Sequence, residues 1–66
     1  MMFSSSTNNP KFEISKSSND KYYFVLKAGN GEVIATSQMY STKESCKKGI
    51  QSVKDNAAIA EIKDLA

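Results

Sequence analysis

Apolar and polar side chains alternate along three short segments in the first half of this chain. Lys11 to Lys16 alternates with the two-residue period of a half-buried strand. Lys21 to Ala28 is dense in aromatic and branched residues, and Glu32 to Gln38 continues this composition after a glycine-containing break. The pattern predicts three antiparallel strands in chain order.

An Asn30-Gly31 pair between the second and third segments sets their predicted register. Both residues tolerate the positive φ angles that the centre of a type I′ turn requires. The resulting pairs are Ala28 with Val33, Lys27 with Ile34, Leu26 with Ala35 and Val25 with Thr36. The turn-forming run 17–20 predicts a second reversal, between the first two strands.

This register divides the predicted sheet into two faces. The first face carries Tyr22, Phe24, Leu26, Ala28, Val33, Ala35 and Ser37. The second carries Tyr23, Val25, Lys27, Ile34, Thr36 and Gln38. The second face is less polar than a solvated sheet surface, which predicts that it is also covered.

The first face requires a cover, and a helix over Thr42 to Asp55 supplies one. Ser41 stands at the cap position with Glu44 three residues later, the pattern of a capping box. The apolar stripe of this helix consists of Cys46, Gly49, Ile50 and Val53. A glycine in mid-helix costs about 1 kcal/mol relative to alanine, so Gly49 predicts a close approach of the helix to a bulky ring such as Phe24.

The chain outside these elements has two distinct ends. Residues 1–10 are polar and lack periodicity, which predicts a flexible arm, and residues 11–64 form a single domain. Asn56 is expected to end the helix in the left-handed conformation. Residues 59–64 then alternate weakly, as a short fourth strand at a sheet edge or a strand donated to a partner chain. The predicted fold is α+β, a three-stranded antiparallel meander packed against one α-helix (β-β-β-α).

A chain of 66 residues has a thin core, and small domains usually need an additional support. A single cysteine excludes an internal disulfide, and the absence of histidine removes the usual zinc sites. We therefore expect no metal and no cofactor. Oligomerisation is the support that remains.

The charge balance argues against a strongly polyanionic partner. Nine lysines face seven carboxylates, and the chain has no arginine, the usual reader of guanine edges and phosphates. The helix lysines are Lys43, Lys47, Lys48 and Lys54. Weak nucleic-acid binding through these lysines or the sheet face is the alternative function. With no apolar run long enough for a membrane span and no signal peptide, the chain is predicted to be cytoplasmic.

No residue pattern predicts catalysis. Cys46 lies in the second turn of the predicted helix, where a thiol pKa is lowered, but its place on the apolar stripe favours a small buried side chain. The carboxylates are scattered and form no close pair. We predict a protein that is not an enzyme.

Several segments together resemble the YegP-like family of uncharacterised proteins. These segments are Lys11-Phe12-Glu13-Ile14, Tyr22 to Ala28, Asn30 to Ser37 and Gly49 to Ala57. The resemblance covers residues 11–64 and implies a sheet-plus-helix module with no known activity. The family takes its name from a member with two tandem copies, so single-copy members are expected to pair as homodimers. The family usually carries basic residues at Tyr23 and Val25, and often glycine at Asp20.

The departures at Tyr23 and Val25 make the second sheet face more apolar in this chain. We therefore predict a homodimer whose contact face contains Tyr23, Val25 and Ile34. Burial of three such side chains contributes a few kcal/mol per subunit, comparable with the whole stability of a small domain.

Overall fold

The computed structural model describes residues 9–66 as one antiparallel sheet and one helix. The elements are β1 (Lys11–Lys16), β2 (Tyr22–Lys27), β3 (Val33–Thr36) and α1 (Lys43–Ala57). The strands lie in the order β1-β2-β3, so β2 is central and the other two are edges. The predicted α+β meander with one helix is confirmed. Of the predicted arm, residues 1–8 lie outside the described residues.

The pairing of β1 with β2 places the apolar side chains of both strands on one face. Phe12 lies opposite Leu26, and Ile14 lies opposite Phe24. The rings of Phe12 and Phe24 meet edge to face, with centroids 5.7 Å apart and an interplanar angle of 73°. This is the face that α1 covers.

The loop between β2 and β3 differs from the predicted type I′ turn. The Gly31 amide donates to the Ala28 carbonyl at 2.9 Å, and the Ala28 amide donates to the Glu32 carbonyl at 2.8 Å. Gly31 has a φ of 89°, whereas Asn30 does not have a positive φ. These contacts define a three-residue loop that ends in a left-handed glycine and a bulge. The type I′ prediction is wrong because the chain closes the loop one residue earlier and needs a positive φ only at Gly31.

The loop between β1 and β2 repeats this arrangement. The Asp20 amide donates to the Ser17 carbonyl at 3.1 Å, and the Ser17 amide donates to the Lys21 carbonyl at 2.7 Å. Asp20 has a φ of 62° and so takes the position that Gly31 holds in the other loop. Asp is one of the few residues other than glycine that enter this region readily. The predicted reversal at 17–20 is confirmed.

A bulge in β3 changes the predicted register close to the loop. The observed pairs are Val25 with Thr36, Leu26 with Ala35 and Lys27 with Val33. The first two pairs were predicted, but Lys27 lies opposite Val33 instead of Ile34, because β3 contains one residue more than its partner at this point. The prediction that Val33 lies on the helix side is therefore wrong. Val33 shares the face of Lys27.

Beyond β3 the chain stays beside β2 through a different set of contacts. The Ser37 amide donates to the Phe24 carbonyl at 2.9 Å, and the Ser37 hydroxyl accepts from the Phe24 amide at 2.9 Å. Tyr40 and Tyr22 then exchange two backbone hydrogen bonds of 2.7 and 2.8 Å. The regular strand ends at Thr36, two residues earlier than predicted, because the serine hydroxyl replaces a backbone carbonyl as acceptor.

The N-terminus of α1 is capped by a different residue from the one predicted. Thr42 has an extended backbone, and its Oγ1 accepts from the Ser45 amide at 3.1 Å. The Thr42 hydroxyl also donates to the Ser45 hydroxyl at 3.0 Å. The predicted capping box of Ser41 and Glu44 is wrong, because the helix begins one residue later and Thr42 meets the same requirement.

The helix also continues past its predicted end. The Asn56 side chain donates to the Ser52 carbonyl at 2.8 Å from within the last turn, and the cap residue Ala58 is right-handed with a φ of −69°. Asn56 therefore does not end the helix in the left-handed conformation. Residues 60–66 have no regular secondary structure, so within the described residues they form no fourth strand.

The core forms where α1 crosses β2. Cys46 is completely buried and Phe24 is 5% exposed. A Cβ atom at Gly49 would lie 2.7 Å from Cζ of Tyr40 and 3.3 Å from Cε2 of Phe24. The rings of Phe24 and Tyr40 are stacked, with centroids 6.2 Å apart. The predicted close approach of Gly49 to Phe24 is confirmed, and Tyr40 approaches Gly49 more closely still.

Candidate functional site

The sheet has an open face on the side away from α1. It carries Lys11, Glu13, Ser15, Tyr23, Val25, Lys27, Val33 and Thr36. Tyr23 and Val25 are half-buried at its centre, although α1 lies on the opposite side of the sheet. Two of the three residues predicted for a dimer face therefore lie side by side on one strand. The third, Ile34, lies in the β3 bulge and is 61% exposed.

Charged side chains occupy one end of the open face. Nζ of Lys27 lies 3.0 Å from Oε1 of Glu13, and both side chains are partly exposed. Lys11 lies directly opposite Lys27. An exposed ion pair contributes at most about 1 kcal/mol, and burying it costs desolvation energy. The apolar centre of the open face favours burial by a second sheet. The charged end opposes it, because the ion pair and Lys11 would lose their contact with water.

Exposed apolar side chains lie in two further places, the β3 edge and the C-terminal tail, residues 59–66. In β3, Val33 is 53% exposed, and Met39 beyond it is 51% exposed. In the tail, Ile59 is 81%, Ile62 is 97% and Leu65 is 87% exposed. These are large apolar side chains on an edge strand and a segment without regular structure. Such an edge is a template for pairing with another chain.

The sequence predictions included only some of these exposed apolar side chains. The tail was identified as a strand candidate, but Val33 was assigned to the covered face and Met39 was not singled out. The bulge places the Val33 side chain on the open face instead of the helix side. This bulge has no simple signature in the sequence, since it depends on how the loop closes. A glycine two residues before a strand is the one available signal.

The four helix lysines are all exposed. They are Lys43, Lys47, Lys48 and Lys54. Glu44 and Asp55 are exposed on the same helix, so acidic groups interrupt the basic surface at both ends. Lysines mixed with carboxylates on the outer side of an amphipathic helix are typical of a solvated surface. Polyanion binding by these lysines stays a prediction.

The Cys46 thiol is enclosed in the core instead of being presented at the surface. Its side chain has no exposed area, and burial raises the pKa of the thiol. A raised pKa reduces the thiolate fraction, and the thiolate is the reactive form. The predicted assignment of Cys46 as a small buried side chain is confirmed.

We expect Cys46 to react with iodoacetamide only when the protein unfolds. In native buffer the alkylation rate should follow the unfolding rate, and denaturant should release rapid modification, measured by mass spectrometry. A Cys46→Ala, Lys48→Cys variant presents an exposed thiol and is the control that reacts at once. Rapid alkylation of the folded wild-type protein would contradict the core assignment. Because burial raises the folded-state pKa, the contribution of the Cys46 thiol to the free energy of unfolding should be constant at neutral pH and decrease as the pH rises through the alkaline range.

The described residues contain little else that indicates chemistry. Residues 9–66 hold no group of three or more side chains that could bind a metal ion. No pocket is present in this part of the chain. The described helix is also too short and too polar to cross a membrane. Extended surfaces, not a cleft, are therefore the candidate functional features.

Comparison with protein families gives a match over residues 17–64 to the domain of unknown function DUF1508. A UPF0339 protein of Shewanella oneidensis is 58% identical over 48 residues, which are 73% of this chain and 44% of that protein. The UPF0339 protein YegP of Escherichia coli is 59% identical over 46 residues, covering 70% of this chain and 42% of YegP. The matched segments thus span less than half the length of these relatives.

Other similar proteins have about the length of this chain. A UPF0339 protein of Methanosarcina acetivorans is 54% identical over 52 residues, covering 79% of this chain and 90% of that protein. Among solved structures, the solution structure of a protein from Haloferax volcanii matches with a TM-score of 0.78 and 36% identity. The match covers 86% of this chain and 97% of that one.

Proposed function

The chain belongs to the YegP-like DUF1508 family of uncharacterised proteins, and on that premise we propose that it is a non-enzymatic module that works as a homodimer. The single observation that carries the proposal is the row of exposed apolar side chains in the tail, next to a domain with a very small core. A cytoplasmic location is part of the proposal, since a lone free thiol suits a reducing compartment.

The size of the core supports the need for a partner. The buried apolar side chains of the described residues are Phe24 and Cys46. Two buried side chains leave little hydrophobic free energy to offset the conformational entropy of the folded chain. A second copy that covers the exposed apolar residues adds the missing burial. Folding and assembly are then coupled.

The sheet edges supply the place where a second copy joins. Both β1 and β3 are edges, and every residue of β3 is exposed. The tail follows α1 and has no regular secondary structure. Its side chains Ile59, Ile62 and Leu65 are exposed to solvent. A strand added to a sheet edge satisfies backbone groups on both chains. We infer that each copy donates its tail to the other.

The lengths of the relatives support a paired arrangement. Family members occur both at about the length of this chain and at more than twice the matched length. A protein that contains two units can pair them within one chain, whereas a protein of one unit needs a second molecule. The open face with Tyr23, Val25 and Ile34 is the second candidate contact, because its centre is apolar.

Three variants distinguish these contacts by sedimentation velocity at micromolar concentration. Truncation after Ala58 removes the tail and is expected to give single chains with reduced β-sheet signal, because the tail carries the exposed apolar side chains that a second copy would cover. Asp64→Lys changes a tail charge without removing an apolar side chain and should remain dimeric. Val25→Lys should also remain dimeric if the tail is the main contact.

Each variant has an outcome that contradicts the proposal. Truncated protein that dimerises like the wild type would exclude the tail as the contact. If Val25→Lys gave monomers and the truncated chain gave dimers, the open face and not the tail would be the dimer contact. Circular dichroism of each variant at the same concentration separates loss of assembly from loss of folding.

A further inference from the structure

The β2–β3 loop contains an Asn30-Gly31 pair, in which the asparagine carboxamide is followed by the backbone amide of a residue without a side chain. Both residues are exposed, and no heavy atom lies within 4 Å of the position a Gly31 Cβ would take. The attacking atom in asparagine deamidation is the amide nitrogen of the next residue. At Gly31 no side chain hinders that nitrogen.

A hydrogen bond also restrains the side-chain carboxamide of Asn30, whose Cγ is the atom attacked in this reaction. Oδ1 of Asn30 accepts from the Glu32 amide at 3.0 Å. The ring closed by this bond contains both reacting atoms, Cγ of Asn30 and the amide nitrogen of Gly31. A donor on Oδ1 polarises the carbonyl and stabilises negative charge on that oxygen during attack.

We propose that Asn30 is a site of spontaneous deamidation, with the Glu32 amide as the group that stabilises the charge on Oδ1. The Gly31 N–H first leaves its hydrogen bond to the Ala28 carbonyl. The nitrogen then loses its proton to hydroxide and bonds to Cγ of Asn30, and the side-chain nitrogen takes a proton from water and leaves as ammonia to give a succinimide. Water then opens the ring. The product is aspartate or isoaspartate, with no oxidant or reductant involved.

The β1–β2 loop provides a comparison within the same molecule. Asn19 precedes Asp20 there, in a loop with the same pattern of backbone hydrogen bonds. Two features differ. Asp20 has a side chain next to the attacking nitrogen. Oδ1 of Asn19 also has a donor, but this donor is the Ser17 hydroxyl and not the Lys21 amide, so the bond closes no ring through the attacking nitrogen. Asn19 should therefore react much more slowly than Asn30.

The asparagine in α1 is restrained in a different way. Nδ2 of Asn56 donates to the Ser52 carbonyl at 2.8 Å, and the residue lies within the last helical turn. The side chain is held toward the preceding turn and away from the following amide. We expect no significant reaction at Asn56 in the folded protein.

Isoaspartate at position 30 would alter the hairpin. It places Cγ in the main chain and so lengthens the backbone between residue 30 and Gly31 by one methylene group. The contact from the Gly31 amide to the Ala28 carbonyl depends on the present loop length. Either product also lowers the net charge by one unit from +2, which allows separation by ion exchange. The isoaspartate form should unfold at lower denaturant concentration.

The test incubates the full-length protein at mildly alkaline pH in ¹⁸O-labelled water and digests it after lysine. The peptide 28–43 should gain the mass of an amide-to-acid conversion and carry one ¹⁸O atom. Its rate should exceed the rates of the peptides with Asn19 and Asn56 by about tenfold or more. Asp20→Gly should accelerate Asn19 by about tenfold but leave it slower than Asn30, and Gly31→Asp should protect Asn30.

Asp20 already shows that this loop position accepts aspartate, so Gly31→Asp is expected to fold, and circular dichroism checks it. Equal rates at Asn30 and Asn19 in the wild-type protein would overturn the proposal. So would unchanged deamidation of Asn30 in a folded Gly31→Asp variant. If Asp20→Gly made Asn19 as fast as Asn30, the role of the Glu32 amide would be excluded. None of these outcomes depends on whether the chain dimerises.

Discussion

Replacing Phe24 by alanine is expected to lower the free energy of unfolding by about 3–5 kcal/mol, which is enough to unfold most of the protein. Phe24 is 5% exposed at the centre of β2 and contacts the rings of Phe12 and Tyr40. Its loss leaves a cavity under α1 that its neighbours cannot fill. Urea denaturation followed by circular dichroism, at fixed protein concentration, measures the change.

Phe12→Ala is the matched control for this prediction. It removes the same ring from the same cluster, but Phe12 is half-buried on an edge strand. Its cost should be clearly smaller than that of Phe24→Ala. Equal losses from the two variants, or a loss of less than about 1 kcal/mol for Phe24→Ala, would contradict the position of the core.

Replacing Gly49 by alanine is expected to destabilise the protein by about 1–3 kcal/mol, although alanine is the better helix former. The new Cβ would lie 2.7 Å from Cζ of Tyr40 and would also contact the Tyr40 hydroxyl. Tyr40 has little freedom to withdraw, because its backbone is bonded to Tyr22 and its ring is stacked on Phe24. Thermal or urea unfolding measures the loss.

Two further variants show whether the clash with Tyr40 is the cause. Lys48→Ala places alanine at an exposed position of the same helix and should change stability by less than about 0.5 kcal/mol. Adding Gly49→Ala to a Tyr40→Ala background should cost less than it does in the wild type. A stabilising effect of Gly49→Ala alone would show that α1 does not pack on β2 through this glycine.

Much of the fold follows from local patterns in the sequence. Alternation alone predicted both ends of β1, because this strand has one apolar face and no bulge. The spacing of small and apolar residues in α1 predicted that Cys46 is buried and that Gly49 meets Phe24. These predictions succeed because each depends on a single periodicity.

Sequence reasoning missed two features, the type of the β2–β3 loop and the cap of α1. In each, two local conformations of similar free energy compete. Asn30 and Gly31 suit a type I′ turn, but the loop that ends at Gly31 needs only one positive φ and therefore prevails. The closure of this loop and the bulge that follows it place the Val33 side chain on the sheet face opposite to the predicted one. At the helix start, neighbouring hydroxyl residues offer two caps one residue apart, and local sequence does not rank them.

The assembly surfaces were only partly predictable for a related reason. Tyr23 and Val25 were correctly placed together on the face away from the helix, since both lie on the regular strand β2. The tail alternates only weakly in sequence and has no regular secondary structure within its own chain, so its pattern did not identify what it contacts. Tertiary partners, not local propensity, decide the structure of such a segment.

The central claim is that this chain works as a homodimer, and sedimentation equilibrium of the wild-type protein at micromolar concentration tests it most directly. We predict a single folded species with twice the mass of the chain, which loses both mass and β-sheet signal together on dilution. A species with the mass of one chain that keeps its folded spectrum across the same concentrations would contradict the claim.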